Sequence, residues 1–148
     1  MSQGPESITD QQNVRLPGHV SWKGSPTNPA PVPLIATDPT SAQMIKYVSN
    51  AFLATRISFI NEVAWICESV GADIQEVIGG VSHDPHIGST YLQAGLGFGG
   101  PCLEKDLKAL ISFADTNGDK PELLHAVLER NDKQVGQVVA KLVQSIGG

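Results

Sequence analysis

Apolar residues recur at helical spacing through the longest stretch without an internal glycine or proline, which follows Pro39 and reaches Val70. Asp38 before Pro39 is typical of a helix start, with the aspartate as N-cap, and Gly71 marks the end. The apolar positions include Met44, Val48, Ala51, Phe52, Ile60, Val63, Ala64 and Cys67. They predict a long helix that is largely buried. One domain of this size offers little to cover both sides of it, so we expect a partner subunit as cover.

Shorter helices are predicted after the long one. Asp73 and Glu76 have the spacing of a capping box and open a helix that ends at Gly79-Gly80. Residues 81–100 are rich in glycine and are interpreted as a loop. A third helix is predicted over residues 101 to about 114.

The last predicted helix runs from Pro121 to Ile146. Its apolar residues alternate at spacings of four and three, with Asn131 at the missing position: Leu124, Leu128, Val135, Val138 and Leu142. This spacing is typical of a helix-packing seam, although the seam is too short for a coiled coil. With no internal repeat and no convincing strand, the whole pattern predicts an all-α architecture.

The N-terminal part differs in composition, because residues 1–40 hold seven of the ten prolines and show no helical or strand period. Proline fixes φ and removes a hydrogen-bond donor, so this segment favours an extended backbone. We expect an irregular tail or linker over residues 1–37 and a helical domain over residues 38–148. The end of a gene fragment is an equally good interpretation of the tail.

Composition and charge exclude several classes of protein. The net charge is −5 and charged residues make up 17% of the chain, which excludes a nucleic-acid binder that works by bulk positive charge. The absence of a long apolar run argues against a membrane span. No secretory signal is visible, and two cysteines are too few for a disulfide framework. We therefore expect a cytoplasmic protein with free thiols.

Cys102 is the residue most suggestive of chemistry. It follows a glycine-rich stretch at the start of a predicted helix, where unpaired backbone N–H groups stabilise an anion and therefore a thiolate. Lys105 adds positive charge, and Asp106 lies four residues on, so it shares a helix face with Cys102. A carboxylate beside a thiol can activate water. A buried structural cysteine with a capping acid is an equally good interpretation of this local pattern.

Lys46 and Asn50 lie four residues apart on one face of the long helix. Both donate hydrogen bonds and could stabilise an oxyanion. Taken alone, an exposed lysine and an asparagine that bonds nearby backbone are the favoured interpretation. His83, Asp84 and His86 are more typical of a solvated loop than of a metal site, so we expect no metal. The glycines at 97–100 follow no strand and lack the dinucleotide-binding pattern.

Three separated segments, in order, resemble the UDP-glucose/GDP-mannose dehydrogenase family. Residues 97–110, GFGGPCLEKDLKAL, are similar to its catalytic-cysteine segment. Residues 42–62, AQMIKYVSNAFLATRISFINE, are similar to its central long helix, and residues 71–77, GADIQEV, also match. The resemblance covers about residues 35–146.

The resemblance implies the fold and the reaction. It implies a helical central domain of the kind found at the C-terminus of 6-phosphogluconate dehydrogenase, which forms a homodimer and carries the catalytic cysteine. NAD is implied as cofactor, bound by a domain absent from this chain, and a nucleotide sugar such as UDP-glucose as substrate. The implied reaction oxidises the sugar C6 alcohol to a carboxylate through a thiohemiacetal and a thioester on cysteine.

The resemblance also assigns roles to residues of this chain. Cys102 matches the nucleophile, and Asp106 matches the acid that positions or activates water. Lys46 and Asn50 match the donors near the reacting C6 oxygen. The residues implied to bind substrate are Phe98, Gly99, Gly100, Lys105 and His86.

Departures from the family leave a second hypothesis open. Glu104 replaces the usual proline beside the nucleophile, and His86 replaces an arginine that commonly reaches the neighbouring subunit's substrate. A histidine cannot make the same bidentate contact. The alternative is a non-catalytic helical dimerisation module or fragment that lacks the NAD-binding and nucleotide-binding domains.

Overall fold

The computed structural model describes residues 35–147, and in that part of the chain every regular element is a helix. The elements are α1 (Pro39–Val70), α2 (Ile74–Ser82), α3 (Leu103–Thr116) and α4 (Glu122–Ile146). The all-α prediction is confirmed for these residues. Most of the predicted proline-rich tail lies outside the described residues.

Helix α1 has the predicted bounds. It begins at Pro39, directly after Asp38, and ends before Gly71, whose φ of +76° is a left-handed conformation that glycine adopts without strain. No glycine or proline interrupts it between these signals.

Two of the other helix bounds differ from the sequence prediction. Asp73 caps α2 as predicted, since its side chain accepts a hydrogen bond from the Gln75 N–H. The predicted end at Gly79-Gly80 is wrong, because the helix passes through both glycines to Ser82. Helix α3 begins at Leu103 rather than Pro101, so Cys102 is its N-cap residue. Gly100, at a φ of +80°, turns the chain directly before it.

The core lies where α3, α4 and the glycine-rich loop meet α1. The buried apolar side chains of this cluster are Ala51, Ala54, Phe98, Leu107, Ile111 and Val127. The two alanines present almost no side chain, so they let α3 approach α1 closely. This approach brings the second turn of α3 against the first half of α1.

The predicted seam on α4 is wrong in part. Val135 and Leu142 are 52% and 55% exposed, whereas Val127 and Gln134 are buried. The buried face of α4 therefore includes polar side chains that bond to the loop. The spacing of apolar residues alone cannot predict a face of this kind. Among the described residues, no helix is both long and apolar enough to span a membrane.

A stripe of large apolar side chains on α1 stays exposed in the single chain. We call it the α1 stripe, and its members are Ile45, Val48, Phe52, Phe59, Ile66 and Val70. Their spacings of three, four and seven residues place them along one side of the helix. Within residues 35–147 one side of α1 is thus uncovered, and the predicted burial of this helix would need a further cover.

Candidate active site

Asp106 lies at the centre of a cluster of polar side chains between α1 and α3. It is 1% exposed, and its Oδ2 accepts a hydrogen bond of 2.6 Å from Asn50 Nδ2. Lys46 Nζ lies 3.6 Å from Oδ2, and Lys105 Nζ lies 3.5 Å from Oδ1. The packing of α3 on α1 thus joins Lys46 and Asn50, one helical turn apart, with Lys105 and Asp106. Burying a carboxylate is costly unless it is paired in this way.

The surroundings of Asp106 keep it ionised. The hydrogen bond from Asn50 is the largest cause that lowers the pKa of Asp106 below its ordinary value. Burial opposes this effect, and the charges of Lys46 and Lys105 lower the pKa further. At neutral pH the cluster therefore holds one buried carboxylate and two largely exposed ammonium groups.

Cys102 stands one helical turn from Asp106 at the N-terminus of α3. Its carbonyl accepts a hydrogen bond of 3.0 Å from the Asp106 N–H, and its side chain is exposed and free of disulfide bonding. Gly99, Gly100 and Pro101 directly before it are also exposed. A shallow pocket beside this turn is lined by Gly100, Pro101, Glu104, Lys105 and Lys108. A thiol is thus open to solvent at a helix N-terminus, next to a turn that carries Lys105 and Lys108.

Glu104, the acid beside Cys102, is paired within α3. Its carboxylate accepts a hydrogen bond of 2.5 Å from Lys108 Nζ, one turn further along the helix. This contact raises the pKa of Lys108 above its ordinary value, so Lys108 stays charged. The Lys108 ammonium thus offsets the negative charge of Glu104, and Lys105 pairs with Asp106 instead.

His86 lies in the exposed turn that follows α2. Its side chain is 91% exposed, and its Nδ1 lies 2.8 Å from Asp84 Oδ1, which also accepts the His86 N–H. These two hydrogen bonds lower the pKa of Asp84. Arg56 of α1 holds the turn by donating to the carbonyls of Ile87 and Gly88. Within residues 35–147, no contact joins His86 to the Asp106 cluster, and no group of three potential metal ligands occurs.

Sequence analysis missed the side chains that hold the glycine-rich loop. Phe98 is buried, and both of its backbone groups bond to the carboxamide of Asn131 on α4. Gln134 and Asn61 bond in the same way to Gly95. One signal in the sequence could have identified these side chains: a polar residue at a helix position where the spacing of apolar residues predicts an apolar one. Asn131 was visible only as a gap in the predicted seam.

We expect a limiting alkylating reagent at neutral pH to label Cys102 well before Cys67. Cys102 is exposed at a helix N-terminus, whereas Cys67 is buried in the last turn of α1. Peptide mass spectrometry of the folded chain measures both rates, and the same chain in denaturant supplies the reference rates. Exposure alone predicts slower labelling of Cys67, so the decisive comparison is Cys102 folded against Cys102 unfolded. A folded rate no higher than the unfolded rate contradicts an activated thiol.

Comparisons with known proteins agree on one family. Residues 40–133 match the UDP-glucose/GDP-mannose dehydrogenase family, central domain. UDP-glucose 6-dehydrogenase YwqF of Bacillus subtilis is 49% identical over 120 residues, which are 81% of this chain and 27% of that protein. UDP-glucose 6-dehydrogenase TuaD of the same organism is 50% identical over 119 residues, covering 80% and 26%.

A solved structure agrees with these sequence comparisons. A UDP-glucose dehydrogenase from the archaeon Pyrobaculum islandicum superposes with a TM-score of 0.71 at 41% identity, covering 74% of this chain and 26% of that one. The chain spans about a quarter of the length of the curated relatives it matches. Because the family match covers well over half of its residues, this chain belongs to the UDP-glucose/GDP-mannose dehydrogenase family and carries that family's central domain.

Proposed function

We propose that this chain acts as the central domain of an NAD-dependent nucleotide-sugar 6-dehydrogenase. The enzyme would oxidise the C6 alcohol of UDP-glucose to a carboxylate through Cys102. The observation that carries the proposal is the exposed Cys102 one helical turn from the buried Asp106, with Lys46, Asn50 and Lys105 around that carboxylate. The relatives named UDP-glucose 6-dehydrogenase support the choice of substrate.

NAD has no fitting site among the described residues. That part of the chain holds no strand, and so no strand-turn-helix whose backbone could hold a pyrophosphate. NAD would be held by residues outside those described, and it would accept one hydride from the C6 alcohol and a second from C6 of the thiohemiacetal, which leaves the thioester. The roles proposed for the described residues therefore concern the steps at the sugar carbon.

Cys102 is the proposed nucleophile toward the C6 aldehyde. Its thiolate sulfur forms a bond to C6 while the carbonyl π electrons move to oxygen, which gives a thiohemiacetal. The Lys46 ammonium, 62% exposed beside Asp106, has donors left for that oxygen. Asn50 has a second amide hydrogen beyond the one it gives to Asp106. Both groups stabilise the developing negative charge on the oxygen.

Asp106 is the proposed positioning group for thioester hydrolysis. Water attacks the carbonyl carbon, a C–O bond forms, the C–S bond breaks and the thiolate leaves. Asp106 Oδ1 is buried and faces Lys105 Nζ at 3.5 Å, and it accepts no shorter hydrogen bond among the described residues, so a water molecule that reached it would find a lone pair. The lowered pKa of Asp106 makes it a weak base. It therefore orients the water by accepting a hydrogen bond and does not hold the proton that the water releases. The sugar product is a carboxylate and the sulfur leaves as a thiolate, so both protons of the water pass to bulk solvent.

The substrate-binding assignments follow the same reasoning. Gly99 and Gly100 present backbone without side chains beside Cys102, and Phe98 anchors them in the core. Lys105 contributes positive charge beside the site. His86 lies on a separate exposed turn, which suits a contact with the substrate of a neighbouring subunit. Its imidazole can make one hydrogen bond to a substrate group that an arginine guanidinium would bind with two.

A homodimer is the proposed assembly, and the α1 stripe is its proposed centre. The stripe places apolar side chains along one side of a 32-residue helix, and two copies can cover each other about a two-fold axis. This observation also supports the alternative function, a dimerisation module without catalysis. Both proposals predict the same dimer interface. Only the enzyme proposal predicts turnover of substrate, so an activity measurement distinguishes them.

We expect Phe52→Glu or Phe59→Glu to weaken the dimer by about 30-fold or more, because each buries a charge at the centre of the interface. Sedimentation velocity over a range of concentrations measures the change. Phe113→Glu is the matched control, since Phe113 is 59% exposed on α3 and outside the stripe. A wild-type mass that stays monomeric at every concentration contradicts the dimer.

The function is tested by placing the matching residues of this chain into YwqF in place of its own central segment. We call this chimera the assembled enzyme. It is expected to form two NADH for each UDP-glucose consumed, whereas the isolated chain is expected to bind no NAD in calorimetric titration. Folded assembled enzyme with no NADH formation favours the dimerisation module.

A further inference from the structure

The loop that leads to Cys102 is held by three carboxamide side chains, which we call the carboxamide clamp: Asn61, Asn131 and Gln134. Asn131 Oδ1 accepts the Phe98 N–H at 2.7 Å, and Asn131 Nδ2 donates to the Phe98 carbonyl at 3.1 Å. The Gly95 N–H donates to Asn61 Oδ1 at 2.7 Å, and Gln134 Nε2 donates to the Gly95 carbonyl at 2.5 Å. Side chains of α1 and α4 thus satisfy the backbone groups of two loop residues, much as a neighbouring strand would.

Surrounding contacts fix the orientation of the Gln134 amide. Arg130 donates to Gln134 Oε1 at 2.7 Å and to the Asn61 carbonyl at 3.1 Å. Trp65 Nε1 also donates to Gln134 Oε1, at 3.2 Å. With two donors on its oxygen, the amide must turn its nitrogen toward Gly95.

Asn131 is the member of the clamp nearest the candidate site. A Cβ built on Gly97, whose φ is +96°, would lie 2.5 Å from Asn131 Oδ1, so the loop touches α4 closely here. Only Gly99, Gly100 and Pro101 separate Phe98 from Cys102. The backbone of Phe98 therefore sets where this short run begins, and α3 sets where it ends.

We propose that Asn131 is a positioning residue, whose carboxamide fixes the Phe98 backbone so that Gly99, Gly100 and Cys102 meet the sugar in one geometry. This inference rests on the proposed function, because it takes the loop to cover the nucleotide sugar. Both hydrogen bonds of the Asn131 carboxamide described here go to the loop backbone. A flexible loop would lose the orientation that catalysis requires, at little cost to nucleotide binding elsewhere.

Amide hydrogen exchange of the full 148-residue chain tests the clamp without turnover. Asn131→Ala is expected to speed exchange of the Phe98 amide by about tenfold or more, because it removes the acceptor of that N–H. Ser58→Ala is the control. It removes a buried hydrogen bond to the Val127 carbonyl between α1 and α4 and leaves the loop contacts intact.

Asn131→Asp separates positioning from general stability. At neutral pH its carboxylate repels the Phe98 carbonyl, to which Asn131 Nδ2 donates in the wild type, so the paired contact opens and protection of the Phe98 N–H falls. Its protonated form restores both contacts. Protection of Phe98, relative to wild type at the same pH, is expected to return as the solution becomes acidic. No return at acidic pH, or equal exchange at Phe98 in Ser58→Ala and Asn131→Ala, overturns the proposal.

Kinetics of the assembled enzyme supply the functional arm. Asn131→Ala is expected to lower kcat by about tenfold or more while KM for UDP-glucose changes by less than about threefold. Ser58→Ala is expected to leave both near wild type. An unchanged kcat in folded Asn131→Ala overturns the positioning role. If wild type itself shows no turnover, the proposed function fails, and the exchange results alone decide whether the clamp positions the loop.

Discussion

Replacing Cys102 with serine in the assembled enzyme is expected to lower the rate of acid formation by about 1,000-fold or more. A serine hydroxyl is far less ionised than a thiol at neutral pH, so it cannot add efficiently to the aldehyde. The first oxidation does not require the sulfur, and the variant therefore retains at most the aldehyde stage. Chromatography of the sugar products, together with NADH absorbance, measures both stages.

Cys67→Ala is the matched control for the loss of a thiol. Cys67 is buried in the last turn of α1, more than four helical turns beyond Asn50 of the Asp106 cluster. Its loss removes packing and lowers stability, but it leaves the proposed nucleophile in place. Acid formation by Cys102→Ser at more than a few per cent of the wild-type rate contradicts a covalent role for Cys102.

Replacing Asp106 with asparagine is expected to remove much of the pH dependence of the chain's stability under acid conditions. The pKa of Asp106 is lowered in the folded state, chiefly by the Asn50 hydrogen bond, from an ordinary value of 3.8. A lowered pKa means that the ionised carboxylate stabilises the fold. This stabilisation is complete above the ordinary value and is lost as pH falls through the lowered folded-state value.

Urea unfolding between neutral and acid pH measures this effect. At pH 7 the wild-type chain is expected to unfold at higher urea than Asp106→Asn, and the gap is expected to begin to narrow below about pH 4 and to close as pH falls through the lowered pKa of Asp106. Glu129→Gln is the control, because its carboxylate also has a lowered pKa but lies in an exposed pair with Lys133. Solvent screens that pair, so its gap is expected to be small. A gap for Asp106→Asn that is constant with pH contradicts the account.

Local signals in the sequence predicted the long helix well. Asp38-Pro39 and Gly71 act on the backbone within one helical turn, so the bounds of α1 follow from the sequence alone. The same reasoning gave the wrong end for α2. Glycine weakens a helix but does not have to end it, and here the helix continues through Gly79 and Gly80 to Ser82. The start of α3 depends on the turn at Gly100, a conformation that the sequence permits and does not require.

The candidate site was predictable only in separate pieces. Periodicity placed Lys46 with Asn50 on one helix and Cys102 with Asp106 on another. Their contact joins residues 56 positions apart and depends on how α3 packs against the alanines of α1. The clamp by Asn131 was not predictable, because the period of apolar residues cannot identify a partly buried polar side chain whose partner is loop backbone. The roles assigned to these residues came from the family resemblance.

The most direct test of the central claim follows isotopically labelled glucose from UDP-glucose through the assembled enzyme. The reaction is quenched with acid during turnover, and the peptide that contains Cys102 is isolated and examined by mass spectrometry. We predict that the labelled sugar is bound to Cys102 while acid is being formed, and that no label binds the peptide that contains Cys67. Acid formation at the full rate with no label on Cys102 at any quench time would contradict the claim that this cysteine carries the reaction.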